Sequence, residues 1–189
     1  MPEHDRAIAE LQRRVRDLED RLALMQILAT YGPAVDSGSA DPTARLWTDD
    51  GVYDTYPAVL HGHAAIADMV TGELHQRLIH AGAAHLQGLP HLEVDGDRAV
   101  ATTYSQLVLR DEATGSFRIW RTGANRWEFV RTAHGWRVTH RVNRQLDGGA
   151  EARDLFGAAV GERPGGVLPP PQGQVPDRPD RDAARPGEG

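Results

Sequence analysis

An α+β fold, in which a curved antiparallel sheet wraps around N-terminal helices, is predicted by three features of the sequence. A long helical pattern opens the chain, four extended runs joined by short turns follow it, and helical and extended segments do not alternate. Helices first and a meander afterwards give segregated layers, unlike the parallel sheet of an alternating βαβ chain. At 189 residues and 40% hydrophobic content, the chain can bury one sizeable core.

Residues Asp5 to Thr30 read as one helix. Ile8, Leu11, Val15, Leu18, Leu22 and Met25 recur at steps of three and four, an a/d seam flanked by Arg and Glu. Such a seam packs on its own domain, pairs with a neighbouring subunit or frays in solvent, and the spacing leaves all three open. From Gln26 the pattern drifts toward Ile27, Leu28 and Tyr31, as if a second surface begins there. Pro33 removes a backbone donor and is expected to kink or end the helix. "DPTARLW" reads as a short helix with Asp41 as N-cap and Pro42 in the first turn. "GVYDTYP" reads as a short strand, and "HGHAAIADMVTGELHQRL" as a loop entering a helix through His61 and His63. The extended runs are "AGAAHLQGLPHLEVDG", "DRAVATTYSQLVLRD", "GSFRIWRTGANRWEFVRT" and "GWRVTHRVNRQL", with turns at "VDGD", "DEATGS" and "TAHG". "EARDLFGAAV" reads as a terminal helix. The domain is thus expected over residues 1–160. Residues 161–189 hold seven prolines and few apolar anchors, and are expected to be disordered.

Composition narrows the function classes. A net charge of −6 with scattered arginines offers no nucleic-acid surface. No cysteine is present, which excludes disulfides and thiol chemistry. No apolar run approaches the ~18 residues a membrane span needs, and the charged N-terminus is unlike a signal peptide, so a soluble cytoplasmic protein is expected. The Ala/Arg/Gly-rich, lysine-free composition correlates with a high-GC bacterial source. There is no Gly-rich phosphate loop, no nucleophile elbow and no Cys/His metal spacing. His61 and His63 lack a third ligand, so no metal and no cofactor are expected.

Three residues stand out as chemistry. His85 lies among small residues in "AGAAHLQG", where a ligand has room beside a strand histidine; a core histidine bonded to a backbone carbonyl is the competing reading. A carboxylate that fixes its tautomer would make it a base, and Asp36, past Pro33 at the mouth of the first helix, is the candidate partner. Tyr31 is a candidate proton donor. Positions five apart on an ideal helix diverge by ~140°, so a kink at Pro33 would have to turn both side chains to one cavity. His4, His75, His80 and His134 read as surface residues, His91 as following a break at Pro90, and His140 as packed in the sheet with Trp136 and Val138. Tyr53, Tyr56, Tyr104, Trp120, Trp127 and Phe129 are candidates to line an apolar pocket, although any one of them suits an ordinary core. Tyr104, Gln106 and Val108 share one strand face. Asn125 and Arg131 share a face with Trp127 and Phe129, as candidate polar contacts to a substrate.

The segments "LEDRLALMQILATYGPAVDSGSADPTARLWTDDGVYD", "LHGHAAIADMV", "AAHLQGLPHLEVDGDRAVATTYSQLVL" and "RWEFVRTAHGWRVTHR" resemble the SnoaL-like branch of the nuclear-transport-factor-2-like superfamily, over roughly Leu18 to Arg144. The resemblance implies a cone-shaped α+β barrel. The Tyr-x4-Asp pair with a later strand histidine is most similar to the group of scytalone dehydratase, bile-acid 7α-dehydratase and hexachlorocyclohexane dehydrochlorinase. That implies a cofactor-independent lyase in which Asp36 and His85 form a proton-abstracting dyad, Tyr31 assists the leaving group, and a small, partly apolar cyclic molecule of polyketide or steroid type is the substrate. Val108 and Trp120 stand where those relatives carry a further acidic residue and a second histidine. The resemblance also implies a homo-oligomer, with a trimer favoured over a dimer. Two alternatives remain at this point: an isomerase or polyketide-cyclase type with Asp54 as base and Tyr31 as oxyanion donor, and a non-catalytic ligand-binding module.

Overall fold

The computed structural model describes residues 3–161. The segment expected to be disordered lies outside the described residues except for Gly161. Helix α1 (Glu3–Asp36) is followed by α2 (Ala40–Ala44), β1 (Trp47–Thr55), β2 (Ala58–His61), α3 (Gly62–Thr71), α4 (Glu73–Gly82), β3 (Ala83–Gln87), β4 (His91–Asp95), β5 (Arg98–Arg110), β6 (Phe117–Thr132), β7 (Gly135–Gln145) and α5 (Ala150–Ala159). The strands form one seven-stranded sheet in the order β2-β1-β7-β6-β5-β3, with β4 also paired to β5.

The α+β layering is as the sequence predicts, and β5, β6 and β7 form the expected antiparallel meander. The sheet as a whole is mixed and unclosed, because β1 runs parallel to β7. That pairing joins segments about ninety residues apart in the sequence, and no local turn signals it. The first extended run divides into β3 and β4 at Gly88-Leu89-Pro90, where a proline cannot donate to a ladder. The single helix expected after His63 breaks at Gly72, whose backbone is extended, into α3 and α4. The N-cap of α2 is Ser39, so Asp41 falls in the first turn.

Helix α1 differs most from expectation. It runs through Pro33 and ends only at Asp36. Proline inside a helix removes one amide and crowds the carbonyl four residues earlier. Burial offsets this cost: Leu24, Leu28, Tyr31 and Val35 form a stripe at steps of four, three and four that seats in the core. There they meet Ile66 and Val70 of α3, Trp47 and Tyr53 of β1, Ala99 and Ala101 of β5, Trp127 and Phe129 of β6, and Trp136 and Val138 of β7. After Asp36 the helix closes through Gly38 N–H to the Val35 carbonyl and Ser39 N–H to the Ala34 carbonyl, with Gly38 at φ 69°. On the other face of the sheet, Ala152 and Leu155 of α5 pack on Ala124 and Val142.

The a/d seam does not enter this core. Ile8, Leu11, Val15, Leu18, Leu22 and Met25 are all exposed in the single chain, Leu22 by 66%. Among the described residues nothing of the chain's own domain covers the seam. Near the seam's C-terminal end a polar lock ties α1 to the sheet: Arg131 gives two hydrogen bonds to the Asp20 carboxylate, at 2.7 and 2.6 Å, and Trp136 Nε1–H gives a third at 3.0 Å.

The Arg131 hydrogen bond holds the Asp20 carboxyl below its ordinary value of 3.8, against the opposing effect of burial and with further help from Trp136 and the Arg131 charge. A depressed carboxyl stabilises the fold fully above its unfolded value and loses that contribution as pH falls through the folded one. Asp20→Asn is expected to cost about 1–3 kcal/mol near neutral pH. In urea titrations the gap to the parent should close below about pH 4; a gap that persists unchanged into acid would contradict the ionised lock.

Candidate active site

The sheet, the end of α1 and helices α3 and α4 line a cavity of about 510 Å³. Tyr31, Tyr53, His75, His85, Ser105, Leu107 and Arg141 are among its lining residues, with Tyr56 and Trp120 at half-exposed positions on its edge.

Strand alternation decides which side chains reach it. On β3, His85 pairs with Leu107 of β5, and both line the cavity. Asp36, in the last turn of α1, stands behind His85. Its Oδ1 lies 2.6 Å from His85 Nδ1, and its Oδ2 accepts the His85 main-chain N–H at 2.8 Å. One carboxylate thus grips both the backbone and the ring of the same residue. An ionised carboxylate only accepts, so Nδ1 is the donor in this pair, and in a neutral imidazole so held Nε2 keeps the lone pair. Gly32, one turn before Asp36, makes the approach of α1 to β3 feasible: a Cβ there would overlap the His85 carbonyl oxygen.

Because α1 stays helical past Pro33, Tyr31 and Asp36 project in different directions. Tyr31 is buried against Trp47, Tyr53 and Trp127, with the Arg141 guanidinium 4.2 Å from its ring centre. Among the described residues it makes no hydrogen bond to Asp36 or His85; its phenol interacts with Tyr53. Burial raises the Tyr31 phenol and keeps it protonated. Burial opposes ionisation of Tyr53 as well, but the Arg141 charge with hydrogen bonds to Thr55 and Tyr31 outweighs it and moves that phenol down.

The other candidates divide. Tyr53 lines the cavity, and Tyr56 and Trp120 border it. Tyr104 is on the outer face, 4.5 Å from Phe156 of α5 between ring centres. Trp127 and Phe129 are core residues beneath the cavity and outside its lining. Asn125 is fully buried, bonded to Ser105, Arg141 and Asn143, and supports the floor from below. Arg131 belongs to the Asp20 lock. Asp54 points to the opposite face from its neighbours Tyr53 and Thr55, where Arg144 takes both carboxylate oxygens at 2.8 Å. His63 bonds the Trp47 carbonyl, and His61 caps α3 by its backbone. Among the described residues no three His, Asp or Glu side chains gather as a metal site.

Several lining residues escape sequence reasoning, His75 and Arg141 among them. His75 was expected at the surface, yet it borders the cavity, with Nε2 2.9 Å from the Val35 carbonyl oxygen and its ring 5.6 Å from that of His85. The signal was present: His75 and Leu78 are one helical turn apart on α4, and both line the cavity. Arg141 was hidden by a β-bulge. The β6–β7 register shifts between Glu128 and Phe129, so Phe129 faces Val138 while Glu128 faces His140. Regular alternation from Trp136 and Val138 would carry His140 inward. The extra residue reverses the phase, sending His140 and Val142 outward and Arg141 and Asn143 inward.

A sequence profile of the SnoaL-like domain matches residues 16–142. The chain belongs to the SnoaL-like family. This family includes cofactor-independent enzymes such as isomerases and cyclases. The SnoaL-like chain is similar to an NTF2-like protein with a cystatin-like fold from Novosphingobium aromaticivorans, at 41% identity and a TM-score of 0.76 over 78% of this chain and 96% of the other. A second protein of that organism, named provisionally as an aromatic ring hydroxylase, is 26% identical over 68% of this chain and 90% of its own, with a TM-score of 0.57. A Mycobacterium tuberculosis protein of unknown function shares the fold at 21% identity and a TM-score of 0.62, over 76% of this chain and 94% of its own. No protein of curated function matches the sequence.

The close approach at Gly32 makes a specific demand. Gly32→Ala is expected to part α1 from β3 and cost about 2–4 kcal/mol in denaturant unfolding, with a matching loss of any activity that needs Asp36 against His85. An alanine variant as stable as the parent would show that the helix has room to give.

Proposed function

We propose that this SnoaL-like protein is a cofactor-independent lyase of the dehydratase type. The observation that carries the reading is the Asp36 carboxylate on His85 Nδ1, at 2.6 Å, with the ring on the cavity wall. Asp36 orients the imidazole and stabilises its charged form, and His85 Nε2 takes a proton from carbon next to a carbonyl. The C–H electron pair forms a carbon–carbon double bond as the C–O bond to a β-hydroxyl breaks. The imidazolium returns its proton to the departing oxygen, so water leaves and the base is restored. Tyr31, held protonated by burial, is the donor of the proposed site and acts through Tyr53, to which its one O–H is directed on the cavity lining. Tyr53, Leu107 and Trp120 supply apolar wall for a small cyclic substrate. The Asp54 alternative has less support, since Arg144 occupies that carboxylate outside the cavity. A purely ligand-binding module is disfavoured by the placement of His85 on the cavity itself.

The test uses β-hydroxy ketones in deuterated water, with exchange at the α-carbon and loss of the hydroxyl followed by NMR. His85→Ala is expected to slow turnover about 10²–10⁴-fold and Asp36→Asn to slow it in the same direction, while Asp54→Asn stays near the parent rate. Full activity in either of the first two variants would sink the dyad.

The proposal includes a cytoplasmic homo-oligomer, trimer before dimer, and the open a/d seam of α1 supports self-association. Leu11→Glu with Leu18→Glu is expected to lower the mass measured by sedimentation equilibrium; an unchanged mass would remove the seam from the contact.

A further inference from the structure

His75 and His85 both line the cavity, 5.6 Å apart between ring centres. They come from different elements, α4 and β3, yet consecutive residues in the last turn of α1 hold them. Asp36 Oδ1 lies 2.6 Å from His85 Nδ1, and the Val35 carbonyl oxygen lies 2.9 Å from His75 Nε2. Both oxygens only accept, so each ring donates its anchored N–H, and in the neutral form its other nitrogen keeps a lone pair. For His85 that nitrogen is Nε2. For His75 it is Nδ1, which has no hydrogen-bond partner among the described residues. The break at Gly72 sets α4 for this placement: Gln76 bonds back through its main-chain N–H to the Gly72 carbonyl at 2.9 Å and through Nε2 to the Val70 carbonyl at 2.8 Å. The two anchors differ in kind. A carboxylate behind an imidazole compensates the charge the ring gains with a second proton, whereas a backbone carbonyl fixes tautomer and orientation and brings no net charge. The cavity therefore offers two acceptor nitrogens of unequal character, one suited to removing a proton and one to accepting a hydrogen bond.

We infer that His75 determines specificity for a free hydroxyl on the ligand. Nδ1 accepts the O–H of the β-hydroxyl, and the bond turns the lone pairs of that oxygen toward His85. The ligand class is a cyclic β-hydroxy ketone, with an alcohol where an ether or ester would offer Nδ1 nothing. No proton passes to His75. The α-proton goes from carbon to His85 Nε2 and on to the departing oxygen, the C–O pair leaves with that oxygen, and water is released from Nδ1. Identifying the hydroxyl as the leaving group rests on the lyase reading proposed above; recognition of an alcohol by His75 does not.

3-Hydroxycyclohexanone and 3-methoxycyclohexanone test it. They lose water and methanol, leaving groups of similar basicity, and both give 2-cyclohexenone; only the first has an O–H to donate. The parent is expected to favour the alcohol about fivefold or more in kcat/KM and in calorimetric affinity. In His75→Phe the two compounds are expected to converge through loss on the alcohol side, with the ether within about twofold of its parent value. His75→Gln, which carries an acceptor oxygen, keeps part of the preference. Should the Phe variant not fold by circular dichroism, the narrowed preference of the Gln variant decides. No preference in the parent, an undiminished preference in both variants, or equal losses on alcohol and ether would each overturn the role. Binding to His85→Ala separates this inference from the lyase reading. The preference for the alcohol persists in that variant whether or not turnover does, and it disappears when His75→Phe is added.

Discussion

The contact between the last turn of α1 and strand β3 organises the rest of the molecule. The Asp36 carboxylate holds the His85 main-chain N–H and ring together, while Gly32 lets the helix backbone meet the His85 carbonyl. Either element by itself would leave polar groups open. Strand β3 is the edge of the sheet, and its His85 amide is satisfied by a helix side chain. The same bonds that close the edge also set the imidazole tautomer. Structure and proposed chemistry therefore draw on one carboxylate, and the position cannot be relaxed for one purpose without loss to the other.

The persistence of α1 through Pro33 follows from this contact. A helix ending at Thr30 would lose the seating of Tyr31 and Val35 and would place Asp36 on a loop. In the observed fold the proline's cost is carried by the buried stripe on one side of the helix and by the carboxylate tether on the other. The divergence of ~140° between Tyr31 and Asp36 then becomes useful. The helix need not aim both groups at one point, because the cavity wraps around its end: Tyr31 meets the floor and Asp36 backs the wall.

Much of this was legible in the sequence, for identifiable reasons. The a/d seam, the drift to a second helix face, the hairpin turns and the helix-then-meander order are local patterns with local causes. Asp36 and His85 could be paired because each is a polar residue placed where the pattern calls for small or apolar ones. The misses are non-local or out of phase. The parallel β1–β7 pairing links distant segments, and the choice among the three readings that the a/d seam leaves open depends on what the sheet leaves uncovered. Whether Asp54 and Tyr104 face the cavity depends on which face of each strand is the inner one; alternation from Tyr53 and from Ser105 puts both outside. Arg141 is the instructive case. A strand holding "WRVTHRVNR" reads as regular alternation, and one extra residue opposite Glu128 and Phe129 exchanges the inside for the outside for everything after it.

That exchange also bears on the electrostatics of the cavity. Without the bulge, His140 and Val142 would take the inward positions that Arg141 and Asn143 hold, and the floor would carry no permanent cation from β7. With the bulge, a permanent cation sits in a low-dielectric box, fixed by an amide that cannot neutralise it. A fold seeking stability alone would gain by replacing such a cation with a well-packed apolar side chain. The three rings and the Asn125 amide offset part of that cost. The cavity thus joins two groups of opposite construction: an imidazole backed by the Asp36 carboxylate, and a guanidinium boxed by three aromatic rings.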